Sequence, residues 1–181
     1  NQSAIIAFKV SRKDYSGFHI AASHSDSPTL KIKESSGMNV ENQYVKLNVE
    51  KYGGMLCAPW FDRPLSVAGR IIVKDGNRLT TKLINVDRDL LMIPNLAIHM
   101  NREVNDGYKY NIQKDMLPLY RMSNSGKAFK EMIAEEAGVS VDQIKGMDLF
   151  LYNRMEGTVW GCDGEFISAP RLDDLQCAFP S

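Results

Sequence analysis

Two short polar clusters in the chain contain residue types that bind metals or move protons. Residues 24–28 read HSDSP, so His24 is followed two positions later by Asp26. Residues i and i+2 of an extended chain point to the same side, so the Asp26 carboxylate can hold one ring nitrogen of His24 and leave the other for a metal. Residues 169–175 read APRLDDL and offer two adjacent carboxylates, Asp173 and Asp174, as oxygen ligands for a divalent ion.

Each cluster also has a purely structural interpretation. A histidine followed by a turn-forming aspartate is common at the end of a strand. Two acidic residues suit the start of a helix, where negative charge and side-chain capping stabilise the first turn. One histidine and one aspartate do not complete a zinc site, which needs three or four ligands per ion. The remaining ligands would therefore come from outside these 181 residues.

The charge balance argues against two classes of partner. The chain has 22 Lys and Arg residues against 22 Asp and Glu residues, so its formal net charge is zero. Nucleic acids and anionic membranes would favour a basic excess. No apolar run approaches the roughly 20 residues of a membrane span. We therefore expect neither nucleic acid nor a membrane as partner.

Cysteine usage indicates the redox compartment. Cys57, Cys162 and Cys177 are odd in number, far apart and form no CxxC pair, so they predict no disulfide framework. A reducing, cytoplasmic setting is expected. Each cysteine is expected to be a small buried hydrophobic residue.

Apolar runs near both ends of the chain predict strands of an α/β layer. Residues 4–10 and 18–22 are almost continuously apolar, as is typical of strands covered on both faces, and residues 11–17 predict a turn between them. Residues 147–153 return to this character. The chain lacks an initial Met and stops within a predicted helix after the APRLDDL segment. We expect it to be a piece of a longer chain.

The middle of the chain has a different pattern. Four segments largely alternate apolar and polar residues, which predicts strands with one solvent-exposed face. A polar stretch predicts a long loop, helical spacing from Phe129 to Ala137 predicts a helix ending at Gly138, and an SVDQ capping box predicts a second helix start. The four strand segments are residues 29–34, 44–50, 70–76 and 79–86, the loop is 101–116, and the capping box is 140–143.

Four motifs, in this order, resemble the M18 metalloaminopeptidases, the group of aspartyl aminopeptidase and vacuolar aminopeptidase I. They are HSDSP at 24–28, VEKYGGMLCAPWFDRPLSVAGRI at 49–71, IPNLAIHMNR at 93–102 and EFISAPRLDDL at 165–175. The similarity runs over essentially the whole chain. It implies an α/β fold, in which a zinc-peptidase-type catalytic domain, only partly present, is interrupted by an inserted, mostly β dimerisation domain. The implied boundaries are 1–29 and 147–181 for the catalytic domain and 30–146 for the insertion.

The resemblance also implies an activity. Complete members of the family would remove N-terminal amino acids from peptides with water activated by two divalent metal ions, most often Zn²⁺, with Co²⁺ or Mn²⁺ as alternatives. They would form homo-oligomers built from dimers, up to a dodecamer. A Glu-Glu pair that includes the general base, a further Asp and a last His ligand would lie after Ser181. This chain alone is therefore expected to be inactive.

Site residues follow from the same resemblance. His24 matches the family's histidine ligand, Asp26 its orienting carboxylate and Asp173 the carboxylate that bridges the metals. His99, within IPNLAIHMNR, matches a histidine that reaches the active site of a neighbouring subunit, and its apolar run predicts a packed strand or helix edge. Asp174 departs from the pattern, because many relatives have Asn there, and its role stays open.

Two other functions remain as alternatives. The chain could be a non-catalytic oligomerisation module, or part of a related two-metal peptidase or acylase that shares only the His-x-Asp and Asp elements. The motifs of the insertion argue against the second alternative. A Glu-Glu pair after Ser181, followed by Asp and His, would distinguish an enzyme from a module.

Overall fold

A computed structural model describes residues 4–10 and 14–181 of the chain. The fold divides into two compact units. The first consists of Asn1–Asp26 with Leu172–Ser181, and the second of Ser27–Arg171. The regular elements are β1 (Thr29–Val40), β2 (Tyr44–Tyr52), β3 (Leu65–Asp75), β4 (Arg78–Asn85), α1 (Ile112–Asp115), β5 (Leu119–Met122), α2 (Phe129–Ala137), β6 (Ile144–Asn153), β7 (Thr158–Trp160), β8 (Phe166–Ser168) and α3 (Leu172–Ala178), with short 3₁₀ turns at Ala58–Trp60 and Val141–Gln143.

The second unit is built on a six-stranded antiparallel sheet in the order β4-β3-β6-β1-β2-β5. The four alternating segments of the sequence correspond to β1, β2, β3 and β4, and only 70–76 and 79–86 extend one residue beyond their strands, so those predictions are confirmed. Alternation sends every second side chain to one face. In β2, Val45, Leu47 and Val49 are buried while the residues between them stay partly exposed. The pattern therefore determined both the strands and the face that each buries.

The hydrophobic core of the second unit lies on the buried face of this sheet. Leu30, Leu47, Val67, Ile71 and Leu149 from four adjacent strands are all fully buried. Burying each such side chain contributes about 1.5–3 kcal/mol relative to leaving it in water. The four strands are therefore held together by one shared apolar layer.

Helix α2 forms where it was predicted, and it covers part of that core. Met132 and Ile133 are buried on its inner side, and the helix ends at Gly138 in the left-handed conformation, with φ 64°. The Lys82 side chain of β4 donates to the carbonyl of Ala137 in the last turn. The capping box at 140–143 begins only a 3₁₀ turn, Val141–Gln143. The predicted loop at 101–116 consists mostly of turns and ends in α1.

Strand β6 confirms the predicted strand at 147–153 and lies between β3 and β1 in the sheet of the second unit. Its burial alternates rather than running continuously, since Leu149 and Leu151 are buried while Asp148 forms ion pairs with Lys31 and Arg70 on the opposite face. The fold is thus mostly antiparallel sheet with few helices.

The strands predicted at 4–10 and 18–22 are not formed. Both segments lie outside helices and strands, and Ile5, Ile6 and Ile20 are 94%, 90% and 86% exposed. An apolar run indicates that a segment tends to be buried, but a strand also needs a neighbour for its backbone hydrogen bonds. No such neighbour occurs among the described residues. The predicted turn at 11–17 lies partly outside them.

Two further expectations concern the cysteines and membranes. All three thiols are free. Cys57 is half-buried, whereas Cys162 and Cys177 are exposed, so the expected burial is wrong for these two, which lie in a turn and in a short helix. Among the described residues, no helix combines the length and apolar character needed to cross a membrane.

Candidate metal centre

His24, Asp173 and Asp174 come together in the first unit. His24 lies in an irregular segment that precedes β1, and both aspartates lie in the first turn of α3. One ligand atom from each residue lies within 4.8 Å of those of the other two. His24 Nε2 is 3.6 Å from Asp173 Oδ1 and 3.6 Å from Asp174 Oδ2. The structure thus brings together the predicted ligands His24 and Asp173 and adds Asp174.

The spacing of these atoms fits a divalent metal. Two ligands about 2.0–2.1 Å from a tetrahedral zinc ion are separated by about 3.3 Å. The 3.6 Å between His24 Nε2 and Asp173 Oδ1 is close to that separation. One imidazole with carboxylate oxygens is a donor set that zinc accepts readily. Zinc therefore suits this part of the site better than a metal that requires thiolates.

Asp26 contacts the other ring nitrogen of His24. Nδ1 lies 2.9 Å from the Asp26 backbone carbonyl and 3.3 Å from the Asp26 carboxylate oxygen Oδ1. A carbonyl oxygen only accepts hydrogen bonds, so Nδ1 carries the hydrogen, and Nε2 of the neutral ring presents its lone pair. The ring is thereby oriented toward the two aspartates of α3.

The Asp174 carboxylate is hydrogen-bonded to the His24 backbone and is much less exposed than that of its neighbour Asp173. Its Oδ2 accepts a hydrogen bond from the backbone N–H of His24 at 3.0 Å, which joins two points 150 residues apart in the sequence. Its side chain is 16% exposed, whereas that of Asp173 is 95% exposed. The Asp173 carboxylate is thus accessible to an ion, and the Asp174 carboxylate is held against the protein.

Hydrogen bonds set the protonation of the centre. The His24 amide, and secondly the Cys177 thiol, lower the pKa of Asp174 because both stabilise its anionic form. The Asp26 carbonyl raises the pKa of His24, desolvation opposes that rise, and the three nearby carboxylates reinforce it. Asp174 is therefore anionic at neutral pH.

His99 lies in the second unit, in an exposed turn. The prediction of a packed strand or helix edge around it is wrong. Leu96, Ile98 and Met100 are 56%, 47% and 76% exposed, and backbone bonds from Met100 and Asn101 to Ala97 close the turn. The sequence has an apolar run here, but such a run does not indicate whether residues of the same chain bury it.

The second unit also has a largely apolar groove of about 530 Å³ at the β5 edge of its sheet. Tyr44, Asp62, Asp89 and Leu119 lie along it. Asp89 is paired with Arg154. None of the predicted site residues lines the groove, so we do not assign the chemistry to it.

The sequence model of one protein family matches residues 1–181 of the chain. That family is aminopeptidase I zinc metalloprotease (M18). The chain belongs to the M18 family. A probable M18 family aminopeptidase 2 of Clostridium acetobutylicum is 48% identical over 185 residues, which cover 97% of this chain and 42% of the relative. The chain thus spans about 42% of the length of that curated M18 relative.

Solved structures give the same result for the fold. Chaetomium thermophilum mApe1 is 34% identical, with a TM-score of 0.74 over 87% of this chain and 39% of that one. The S. cerevisiae mApe1 dodecamer is 27% identical, with a TM-score of 0.68 over 87% of this chain and 36% of that one. This M18 chain therefore shares its fold with a part of each of these two structures.

Proposed function

We propose that the full-length protein is a metal-dependent aminopeptidase, with peptides as substrates and zinc as its metal. The observation that supports this proposal most directly is the approach of His24 Nε2 to Asp173 Oδ1, in a chain that belongs to a family of zinc metalloproteases. Bound zinc would act as a Lewis acid that activates water and polarises the scissile carbonyl. The residues of this chain would hold and orient that centre.

Each residue of the first unit has a proposed role. His24 binds one metal through Nε2, Asp26 fixes the ring through Nδ1, and Asp173 bridges two ions. The high exposure of the Asp173 carboxylate supports a ligand role, because its oxygens are accessible from solution. A bridging carboxylate implies a second ion, whose other ligands we expect among the Glu-Glu pair, Asp and His that the family resemblance implies after Ser181. The general base is expected to be one Glu of that pair.

His99 is proposed to act across a subunit interface. It stands on an exposed turn between apolar side chains, and contact with another protein surface would remove Leu96, Ile98 and Met100 from water. In that position His99 would help to bind the substrate carbonyl or the oxyanion that develops from it, where a preorganised donor stabilises charge strongly. A homo-oligomer built from dimers is proposed as the assembly, and one structural relative is a dodecamer.

The proposed organisation is an α/β catalytic domain interrupted by a mostly β dimerisation domain. The two compact units support a division of this kind, since the first joins both ends of the chain around the metal residues. The boundaries at residues 29–30 and 146–147 remain predictions. A cytoplasmic location is proposed from the free thiols.

Hydrolysis of aminoacyl substrates by the full-length protein tests the proposal. We expect release of N-terminal residues that stops after chelation and returns when zinc is restored. A matched peptide with an acetylated N-terminus should be a poor substrate, because an aminopeptidase requires the free amine. A full-length protein that assembles and binds zinc but cleaves no peptide would favour the oligomerisation module instead.

A further inference from the structure

Asp174 is the carboxylate of the centre that is turned toward the protein. Its side chain is 16% exposed, against 95% for Asp173 and 61% for Asp26. Its Oδ2 accepts a hydrogen bond from the backbone N–H of His24 at 3.0 Å. His24 and Asp174 both belong to the first unit, so this contact is internal to it.

This contact acts on a part of the chain that lacks regular structure. Residues 14–28 lie outside helices and strands, so His24 has no sheet ladder or helical turn to fix its backbone. Asp26 orients the imidazole ring but belongs to the same irregular segment. The bond from His24 to Asp174 instead ties this segment to the first turn of α3, which also contains Asp173.

We propose that Asp174 is a positioning residue, which holds the backbone of His24 so that Nε2 faces Asp173, and that it is not itself a metal ligand. The proposal rests on the proposed metal-binding function. Asp174 is adjacent to Asp173, so its hydrogen bond with His24 links the chain segments that hold the two ligands. Because Oδ2 also lies 3.6 Å from His24 Nε2, direct ligation is the competing role. The test must distinguish the two.

Zinc affinity of the full-length protein provides that test, measured by competition with a chromophoric chelator. Asp174→Ala removes the acceptor and should weaken zinc binding about 10–100-fold, the usual effect of losing a group that supports a ligand. Asp174→Asn should stay within about 3-fold of the wild type, because an amide oxygen accepts the same N–H. Asp173→Asn should lose far more affinity than Asp174→Asn. Asp75→Asn, at the end of β3, controls for the loss of one charge.

The outcomes separate a positioning role from the alternatives. Asp174→Asn binding zinc as weakly as Asp174→Ala or Asp173→Asn would overturn the proposal in favour of ligation. A folded Asp174→Ala with wild-type affinity would overturn it too. Thermal unfolding checks that each variant is folded, and if Asp174→Ala is not, the comparison of Asp174→Asn with Asp173→Asn decides. A wild-type protein that binds no zinc would instead overturn the proposed function.

Discussion

His24 Nε2 lies 3.6 Å from Asp173 Oδ1, close to the separation of two ligands on one zinc ion. In the full-length protein His24→Ala should therefore remove at least one metal and the activity. The measurement is zinc content by elemental analysis beside peptide hydrolysis. His19→Ala is a matched control, because it removes a histidine of the same unit that lies outside the cluster. A fully active His24→Ala protein would rule out the assignment.

The 181-residue chain alone should not retain two equivalents of zinc. Among the described residues only His24, Asp173 and Asp174 form a cluster of candidate ligands, and two ions need six or more ligands between them. Elemental analysis after dialysis against metal-free buffer measures the retained zinc. Two tightly held equivalents would show that the chain contains metal ligands beyond His24 and Asp173.

Substitution of Asp173 should impair the protein more than substitution of Asp26. Asp173→Asn should abolish most of the activity, because a neutral amide bridges two cations poorly. Asp26→Ala should cost about 10-fold in zinc affinity, the low end of the range for groups that support a ligand. The closer Nδ1 partner is the Asp26 backbone carbonyl, at 2.9 Å, which the substitution keeps. If Asp26→Ala kept full zinc affinity and activity, the Asp26 carboxylate would not be needed to orient the His24 ring.

The sheet of the second unit tests the fold independently of the metal. Gly69 in β3 has φ 151°, and a Cβ built there would lie 2.1 Å from the carbonyl oxygen of Asp148 in β6. Gly69→Ala should lower the free energy of unfolding by about 2 kcal/mol or more, since backbone must move. Gly146→Ala is the control, because its Cβ would meet only Ile72 Cγ1 at 3.9 Å. Equal urea midpoints for the two variants would contradict this account.

The second unit was the more predictable part of the fold, for a physical reason. Alternating apolar and polar residues, as in β2, indicate both that the segment is a strand and which of its faces is buried. The run at 4–10 indicates only that the segment is apolar. It does not indicate which strand would pair with the segment or which layer would cover it. Its prediction as a strand failed for that reason.

The centre was predictable only through the motifs that surround it. His24 and Asp173 are far apart in the sequence, and their own spacing indicates no contact. The role of Asp174 stayed open because its partner is the His24 backbone N–H, and a backbone donor is present at every non-proline residue. The adjacent aspartates of LDDL and Cys177 one helical turn later were the available signals, and each also suits an ordinary helix start.

The exposed turn at His99 leads to a prediction about assembly. If His99 serves the metal centre of a neighbouring subunit, full-length His99→Ala should keep its fold and its zinc yet be almost inactive, while His24→Ala should be inactive for want of metal. Co-expressed, the two should regain part of the activity, because some hybrid centres pair an intact metal site with an intact His99. Each variant co-expressed with a second copy of itself provides the matched control. Mixed oligomers verified by mass, with no more activity than these controls, would refute the shared site.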